Sequence, residues 1–369
     1  MDERRLKESF ERVAAHGDQV ALFFYSHLFL GHPELRDMFP ISMADQRDRL
    51  LTALGRIVAD VSSHEALVPF LQGLGRDHRK FAALAEHYPV VGASLLATLA
   101  HFSGSAWTED LASDWTEAYT LLAQVMTEAA AADNNPPWWD ATVIGHERRT
   151  LDIVVLKVVP QQPLPYLPGQ SVAVEYEQRP RIWRYYSMAN APRDDGTIDF
   201  HVRIIDGGPV SSALARTATV GSRLRLGPPV GNLTLDTASR RDIVLAAGST
   251  GLAPLKAIIE QAAGLPEPPR THLVFGTRTA DELYDLPDLE KMAAQWPWLT
   301  VTPAVSADPE YQGECGTVAD VTGRRVQLTG RDAYVCGSSA MVGATVSRLE
   351  SLGMPRERIY VEDFGWSES

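Results

Sequence analysis

Four groups of residues in this 369-residue chain have the types and spacing to do chemistry. Gly248-Ser249-Thr250-Gly251-Leu252-Ala253-Pro254 follows the apolar run 243–247 and opens a helical segment. Glycines at such a turn let backbone N–H groups approach a pyrophosphate, and the helix N-terminus adds partial positive charge. Pro254 suits the first helical turn, where its missing N–H costs nothing. Cys336-Gly337-Ser338-Ser339 closes a second apolar run and opens another helix. In an open α/β sheet, ligands bind beyond the carboxyl ends of the strands, so both turns face one crevice. Arg184-Tyr185-Tyr186-Ser187 offers a forked phosphate donor, a flat ring and a hydroxyl for a ring nitrogen. Gly207-Gly208-Pro209-Val210-Ser211 enters a short helix and makes a second anion-binding turn. The fourth group is histidine: seven of ten lie at or before His101, and His78 shares a helix face with Leu71, Leu74 and Phe81.

The elements that must position these groups divide the chain into three textures. Up to residue 134 the apolar residues fall at helical steps, as in Leu50, Leu54, Ile57, Val58 and Val61, with Pro33, Pro69 and Pro89 near helix starts or corners. The polar run Asp133-Asn134-Asn135-Pro136-Pro137 can sustain neither a helix nor a central strand. Beyond it the period becomes two: Ile198, Phe200, Val202 and Ile204 alternate with Asp199, His201 and Arg203, and Ile205 breaks the pattern. Short strands over about 142–235 with a helix near Val210–Arg216 predict an antiparallel barrel. From Asp242 onward strands alternate with helices at about 253–263, 287–295 and 340–352, which predicts a parallel sheet covered on both faces. The expected organisation is multidomain: an all-α domain at 1–134, a β-barrel at 138–238 and an α/β domain at 240–369.

Composition narrows the function. Two cysteines, Cys315 and Cys336, are too few for a thiolate zinc or iron–sulfur site, so redox chemistry needs another cofactor. The net charge is −13, with 11 Lys+Arg against 19 Asp+Glu in residues 1–134, so neither half has the basic surface that nucleic acid requires. The charged start and the lack of a long apolar run predict a cytoplasmic protein without membrane insertion. A monomer is expected.

Residues 138–369 resemble the ferredoxin–NADP reductase superfamily through Arg184/Tyr186/Ser187, Gly208/Ser211, Gly248/Thr250/Gly251/Pro254 and Cys336/Gly337. The tail Glu362-Asp363-Phe364-Gly365 resembles that family's acidic–aromatic element beside the flavin. The resemblance implies that Arg184 binds the FAD pyrophosphate, Tyr186 lines the isoalloxazine, Ser187 sits near N5, and hydride arrives there from NAD(P)H. Ser338 stands where many relatives have proline. After Phe275, Gly276-Thr277-Arg278 presents no acidic residue for a ribose hydroxyl; Arg278 can meet a 2′-phosphate or a neighbouring carboxylate, so the choice between NADH and NADPH stays open, leaning to NADH.

An all-α segment joined to a flavin reductase suggests haem, which needs one axial ligand and an apolar pocket. The ordered set Tyr25, Phe39, Gln46, Leu50, His78, Tyr88, Trp115 has globin spacing, with Phe39 and Gln46 standing 39 and 32 residues before His78. Almost the whole chain thus resembles the flavohaemoglobins, the bacterial nitric oxide dioxygenases. The resemblance implies haem b ligated by His78 and packed by Phe39 and Leu50. It also implies Tyr25 and Gln46 on the O₂ side and Tyr88 orienting His78. Ala130 stands where the family has a proximal Glu, and Asp77 where it has Lys. The expected reaction converts NO and O₂ to nitrate with NAD(P)H; the alternative is a haem-based oxygen or redox sensor whose reductase keeps the iron ferrous.

Overall fold

The computed structural model describes residues 1–362, and these form two compact units that meet in sequence at Trp138/Trp139.

The first unit is all helical: α1 Glu3–Ala14, α2 Asp18–Gly31, α3 Ala44–Ala59, α4 His64–His78, α5 His87–Ser103 and α6 Glu109–Ala132. Asp2 and Thr108 cap α1 and α6, their side chains accepting the N–H groups of Arg5 and Leu111; such a cap contributes about 1 kcal/mol. The core joins Leu6, Val13, Val20, Phe24, Leu28, Leu95, Leu99, Leu111 and Trp115, with a second cluster of Leu67, Leu71 and Met126 between α4 and α6. A Cβ on Gly75 would come 2.2 Å from the Met126 carbonyl oxygen, so only glycine lets α4 lie this close to α6. Pro33 opens a 3₁₀ turn, Pro33–Met38, and Pro89 lies in the first turn of α5. Pro69 corrects its expectation, because it lies inside α4. An interior proline costs about 3 kcal/mol, and burial of Leu67 and Leu71 on either side offsets it.

The second unit begins with six strands: β1 Trp139–Arg148, β2 Ile153–Pro160, β3 Ser171–Tyr176, β4 Trp183–Ser187, β5 Ile198–Arg203 and, after helix α7 Pro209–Arg216, β6 Arg223–Leu226. All pair antiparallel in the order β4-β3-β6-β1-β2-β5. A Met188–Phe200 bridge joins the two ends into a nearly closed barrel. The chain continues as β7 Ile243–Gly248, α8 Leu252–Ala263, β8 Thr271–Thr277, α9 Leu286–Gln295, β9 Leu299–Val305, β10 Glu314–Cys315, α10 Val318–Arg325, β11 Asp332–Cys336, α11 Ser339–Ser351 and β12 Ile359–Val361. These strands form a parallel sheet, β10-β9-β8-β7-β11-β12, with an apolar cluster on each face. Helix α10 was not expected from the sequence: at eight residues it is too short to show periodicity, and a Thr317/Asp320 capping box starts it.

Strand β5 joins the two halves of this unit. Ile198, Phe200 and Val202 point into the barrel core. The polar alternates face the parallel-sheet half: His201 Nδ1 lies 2.8 Å from the Tyr284 hydroxyl, and Arg203 donates to Ser249 Oγ at 3.0 Å. Asp199 holds Arg193, which reaches Glu260 on α8. Beside them, Lys256 donates to the fully buried Asp285 at 2.6 Å, and Arg149 lies 3.7 Å from the same carboxylate.

Candidate functional site

In the helical unit the expected ligand stands at the end of α4. His78 Nδ1–H donates to the Leu74 carbonyl at 2.8 Å. Burial holds the His78 pKa below its usual value, which keeps the ring neutral. A neutral ring protonated at Nδ1 presents a lone pair at Nε2, the form in which imidazole ligates a metal. Phe81 meets His78 edge-on, its ring centre 6.1 Å away. The carboxyl neighbours divide as follows: Asp77 accepts from the buried Lys80 at 2.6 Å, while exposed Glu128 accepts from Gln124. Among the described residues no carboxylate hydrogen-bonds to His78, in keeping with Ala130.

Tyr25 is 6% exposed on α2, and burial pushes its phenol pKa well up, so the hydroxyl keeps its proton. Its ring packs edge-on against Phe39 at 5.6 Å and stacks on Phe29. Its hydroxyl donates to the backbone carbonyl of Gln46 at 3.4 Å. Tyr25 thus meets Gln46 through the Gln46 main chain and not its side-chain amide. Phe39, Leu50 and Met43 pack on the same core. Tyr88 opens α5 and packs with Leu74 and Met126; its carbonyl accepts from the Tyr119 hydroxyl at 2.6 Å. Trp115 is a core residue whose indole donates to Ser9. An apolar, aromatic set with one neutral imidazole ligand fits a haem.

In the second unit the two glycine turns converge. A Cβ on Gly251 would lie 2.4 Å from the Cys336 carbonyl oxygen, and one on Gly337 3.3 Å from the Gly248 Cα. Ser249 holds φ +50°, a left-handed conformation that costs a residue with a Cβ about 1 kcal/mol or more. Arg203 supports it there. Thr250 lies in the following 3₁₀ turn, and Pro254 sits in the first turn of α8. Ser338 caps α11 by accepting from the Met341 N–H.

Beside this turn a carboxyl gathers three donors. Glu362 accepts from the hydroxyls of Ser171 and Ser187, each at 2.8 Å, and from the Cys336 thiol at 2.9 Å. Burial raises the pKa of both Glu362 and Cys336. Ser171 carries no sequence signal, since it begins an ordinary apolar strand. Its role appears only because β3 pairs with β4 and sets Ser171 opposite Ser187. Tyr186 packs against the barrel core with its phenol pKa raised by burial, and Arg184 donates to the Trp183 carbonyl. Phe364 lies outside the described residues.

The turn before α7 leaves backbone donors open. Gly208 is the N-cap and supplies no capping side chain, so the first N–H groups of α7 stay open. Ser211 Oγ accepts the Ile205 N–H at 3.2 Å and closes the loop. These open N–H groups, together with the Arg184, Tyr186 and Ser187 side chains of β4, are a donor set that fits a flavin nucleotide. Arg278 is exposed at the end of β8, and its N–H donates to the Glu282 carboxylate at 2.9 Å. An acidic group four residues further along the chain therefore does reach the end of β8.

Comparison with known proteins accords with this geometry. Residues 22–126 match the globin family, residues 140–235 the oxidoreductase FAD-binding domain and residues 244–347 the oxidoreductase NAD-binding domain. A flavohemoprotein of Bordetella parapertussis is 28% identical over 95% of this chain and 94% of its own. The reductase component of the naphthalene 1,2-dioxygenase system of Pseudomonas putida is 34% identical over 60% of this chain and 68% of its own. The crystal structure of flavohemoglobin from Malassezia yamatoensis, with bound FAD and heme, aligns over 98% of both chains with a TM-score of 0.81 at 19% identity. The three domain matches in this order, with likeness along nearly the whole length, show that the chain belongs to the flavohaemoprotein family, a globin followed by the FAD- and NAD-binding domains of an oxidoreductase.

Proposed function

We propose that the protein is an NAD(P)H-dependent nitric oxide dioxygenase. One NAD(P)H supplies two electrons, and each NO with one O₂ and one electron gives one nitrate. When bound, FAD accepts hydride and releases single electrons, and haem b receives them and holds the gas; the rest is the work of the chain's own residues.

His78 carries this reading: its Nδ1 proton is engaged by the Leu74 carbonyl, so its Nε2 would be the atom that holds the haem iron. Tyr25 holds its proton in an apolar setting and can turn its hydroxyl from the long contact with the Gln46 carbonyl toward a polar gas. Phe39 and Leu50 exclude water, while Tyr88 fills the space beside Leu74. On the reductase side, Arg184, Gly208 and Ser211 would hold the phosphate charge of FAD, Tyr186 would line its ring, and the Ser187 hydroxyl would face it. The turn Gly248, Thr250, Gly251, Pro254 with Cys336 and Gly337 would seat the nicotinamide, and Glu362, on which the Ser171, Ser187 and Cys336 donors converge, would exchange a proton beside the flavin at a raised pKa. Glu282 at the end of β8 supports NADH over NADPH, since a carboxylate accepts from a ribose hydroxyl and repels a 2′-phosphate; Arg278 is the residue that would oppose this choice.

A haem-based oxygen or redox sensor is the second reading. One observation favours it: His78 donates to a neutral carbonyl and no carboxylate, which leaves the imidazole a weaker electron donor. Mixing the holoprotein with NO, O₂ and NADH decides between them. Stoichiometric nitrate over many turnovers is expected; tight gas binding with less than one nitrate per protein would establish the sensor.

A further inference from the structure

The end of the parallel sheet opposite the nucleotide turns carries a row of charged and aromatic residues that the redox function does not use. Registers Asp332↔Ile243, Ile243↔Thr271 and Thr271↔Leu299 bring four strand starts level. The residues just before them, Arg331, Asp242, Arg270 and Trp298, therefore lie side by side across β11, β7, β8 and β9. Two residues further along, His272 stands opposite Thr300. Arg270, His272, Trp298, Thr300 and Arg331 line a cavity of about 560 Å³, within the range of small-molecule sites.

The charge in this cavity is unbalanced. Asp242 is the one acidic residue in the row, and its carboxylate is already engaged: Oδ1 accepts the Arg270 main-chain N–H at 3.0 Å, and Oδ2 lies 3.9 Å from Arg331. The Arg270 guanidinium is exposed and has no carboxylate partner among the described residues. Arg331 donates to the Ile243 carbonyl, which fixes its fork at the rim. Trp298 stacks on Trp296 with ring centres 5.5 Å apart, which makes a rigid aromatic wall. His272 bonds Thr302 at 2.8 Å, and burial together with Arg331 lowers its pKa, so it stays neutral and able to hydrogen-bond. Two arginine forks beside an indole plane are a recognition set for a flat anion. In a chain of net charge −13, such a local excess of positive charge marks a specific site and not a general field.

We infer that this rim is a second small-molecule site, one that takes a planar ring carrying phosphate or carboxylate. It is separate from the nicotinamide turn: β7 runs six residues from this rim to Gly248, about 20 Å at strand rise. It also stands independently of the proposed dioxygenase activity.

Calorimetry of the full holoprotein with NAD⁺ saturating tests this, with AMP and benzoate as probes and adenosine and inorganic phosphate as controls for ring and charge alone. AMP or benzoate is expected to bind at one site per chain, more tightly than either control. Arg270→Glu should weaken that binding roughly tenfold to a hundredfold, the loss of one charge-assisted contact, with the melting temperature and NADH–ferricyanide turnover unchanged. The site is refuted if neither probe saturates, if adenosine binds as well as AMP, or if Arg270→Glu binds as wild type does.

Discussion

Tyr25 and Glu362 show how burial sets the protonation that each site needs. The Tyr25 hydroxyl is buried among Phe24, Phe29 and Phe39 with only a long carbonyl contact, so it has a donor to spare. Tyr25→Phe should therefore speed O₂ dissociation from the reduced holoprotein by roughly tenfold, the worth of one hydrogen bond of about 1–1.5 kcal/mol; stopped-flow displacement by CO measures it. An unchanged rate would remove Tyr25 from the gas pocket. Glu362 works in the other direction. Desolvation raises its pKa, so its carboxyl loses the proton at a higher pH than an ordinary glutamate, near 4.3. The rate of flavin reduction by NADH should change through that raised pKa in wild type, and Glu362→Gln should flatten this step while Ser171→Ala shifts it. Anaerobic stopped-flow across pH reads both.

Between the elements, the seam along β5 is where electrostatics and packing meet. Lys256→Met would leave Asp285 fully buried with only Arg149 at 3.7 Å. Breaking a buried pair from one side should cost about 3 kcal/mol in urea unfolding. His201 gives a pH signature: its pKa is pushed down to about 3, chiefly by burial. Below the unfolded value, near 6.5, the unfolded chain takes a proton that the folded chain refuses. Stability is thus whole above pH 6.5 and is lost as pH falls toward 3, at up to about 1.4 kcal/mol per pH unit. His201→Gln should remove that slope, with parallel wild-type and variant curves as the contrary result. This seam also marks the limit of sequence reading. Period-two alternation located β5 and its barrel face, and strand–helix alternation located β7 to β9. The destination of Asp199, His201 and Arg203 was not legible, because polar alternates look the same whether they face water or another layer of the fold. The glycine turns could be read locally since their geometry is local. Ser171 could not, because only the pairing of β3 with β4 brings it opposite Ser187.

For the whole molecule, the helical unit and the reductase unit are compact on their own account, and each carries its own cofactor residues. His78→Ala should abolish haem retention, seen as loss of the Soret band, and should leave NADH–ferricyanide reduction within about twofold of wild type, as expected of a change confined to one cooperative unit. Loss of both activities would mean that the units do not fold separately. Within the reductase unit modularity ends. Strand β5 serves two neighbours: one face builds the barrel and the other meets the nucleotide-binding half. A one-residue insertion in it would turn each face toward the wrong neighbour and spoil both at once. An engineer grafting a nucleotide-binding half from a relative, to change NADH for NADPH, must therefore transplant the outward residues of β5 with it; a chimaera cut at the obvious linker after the barrel would join two halves whose contact surfaces were never matched.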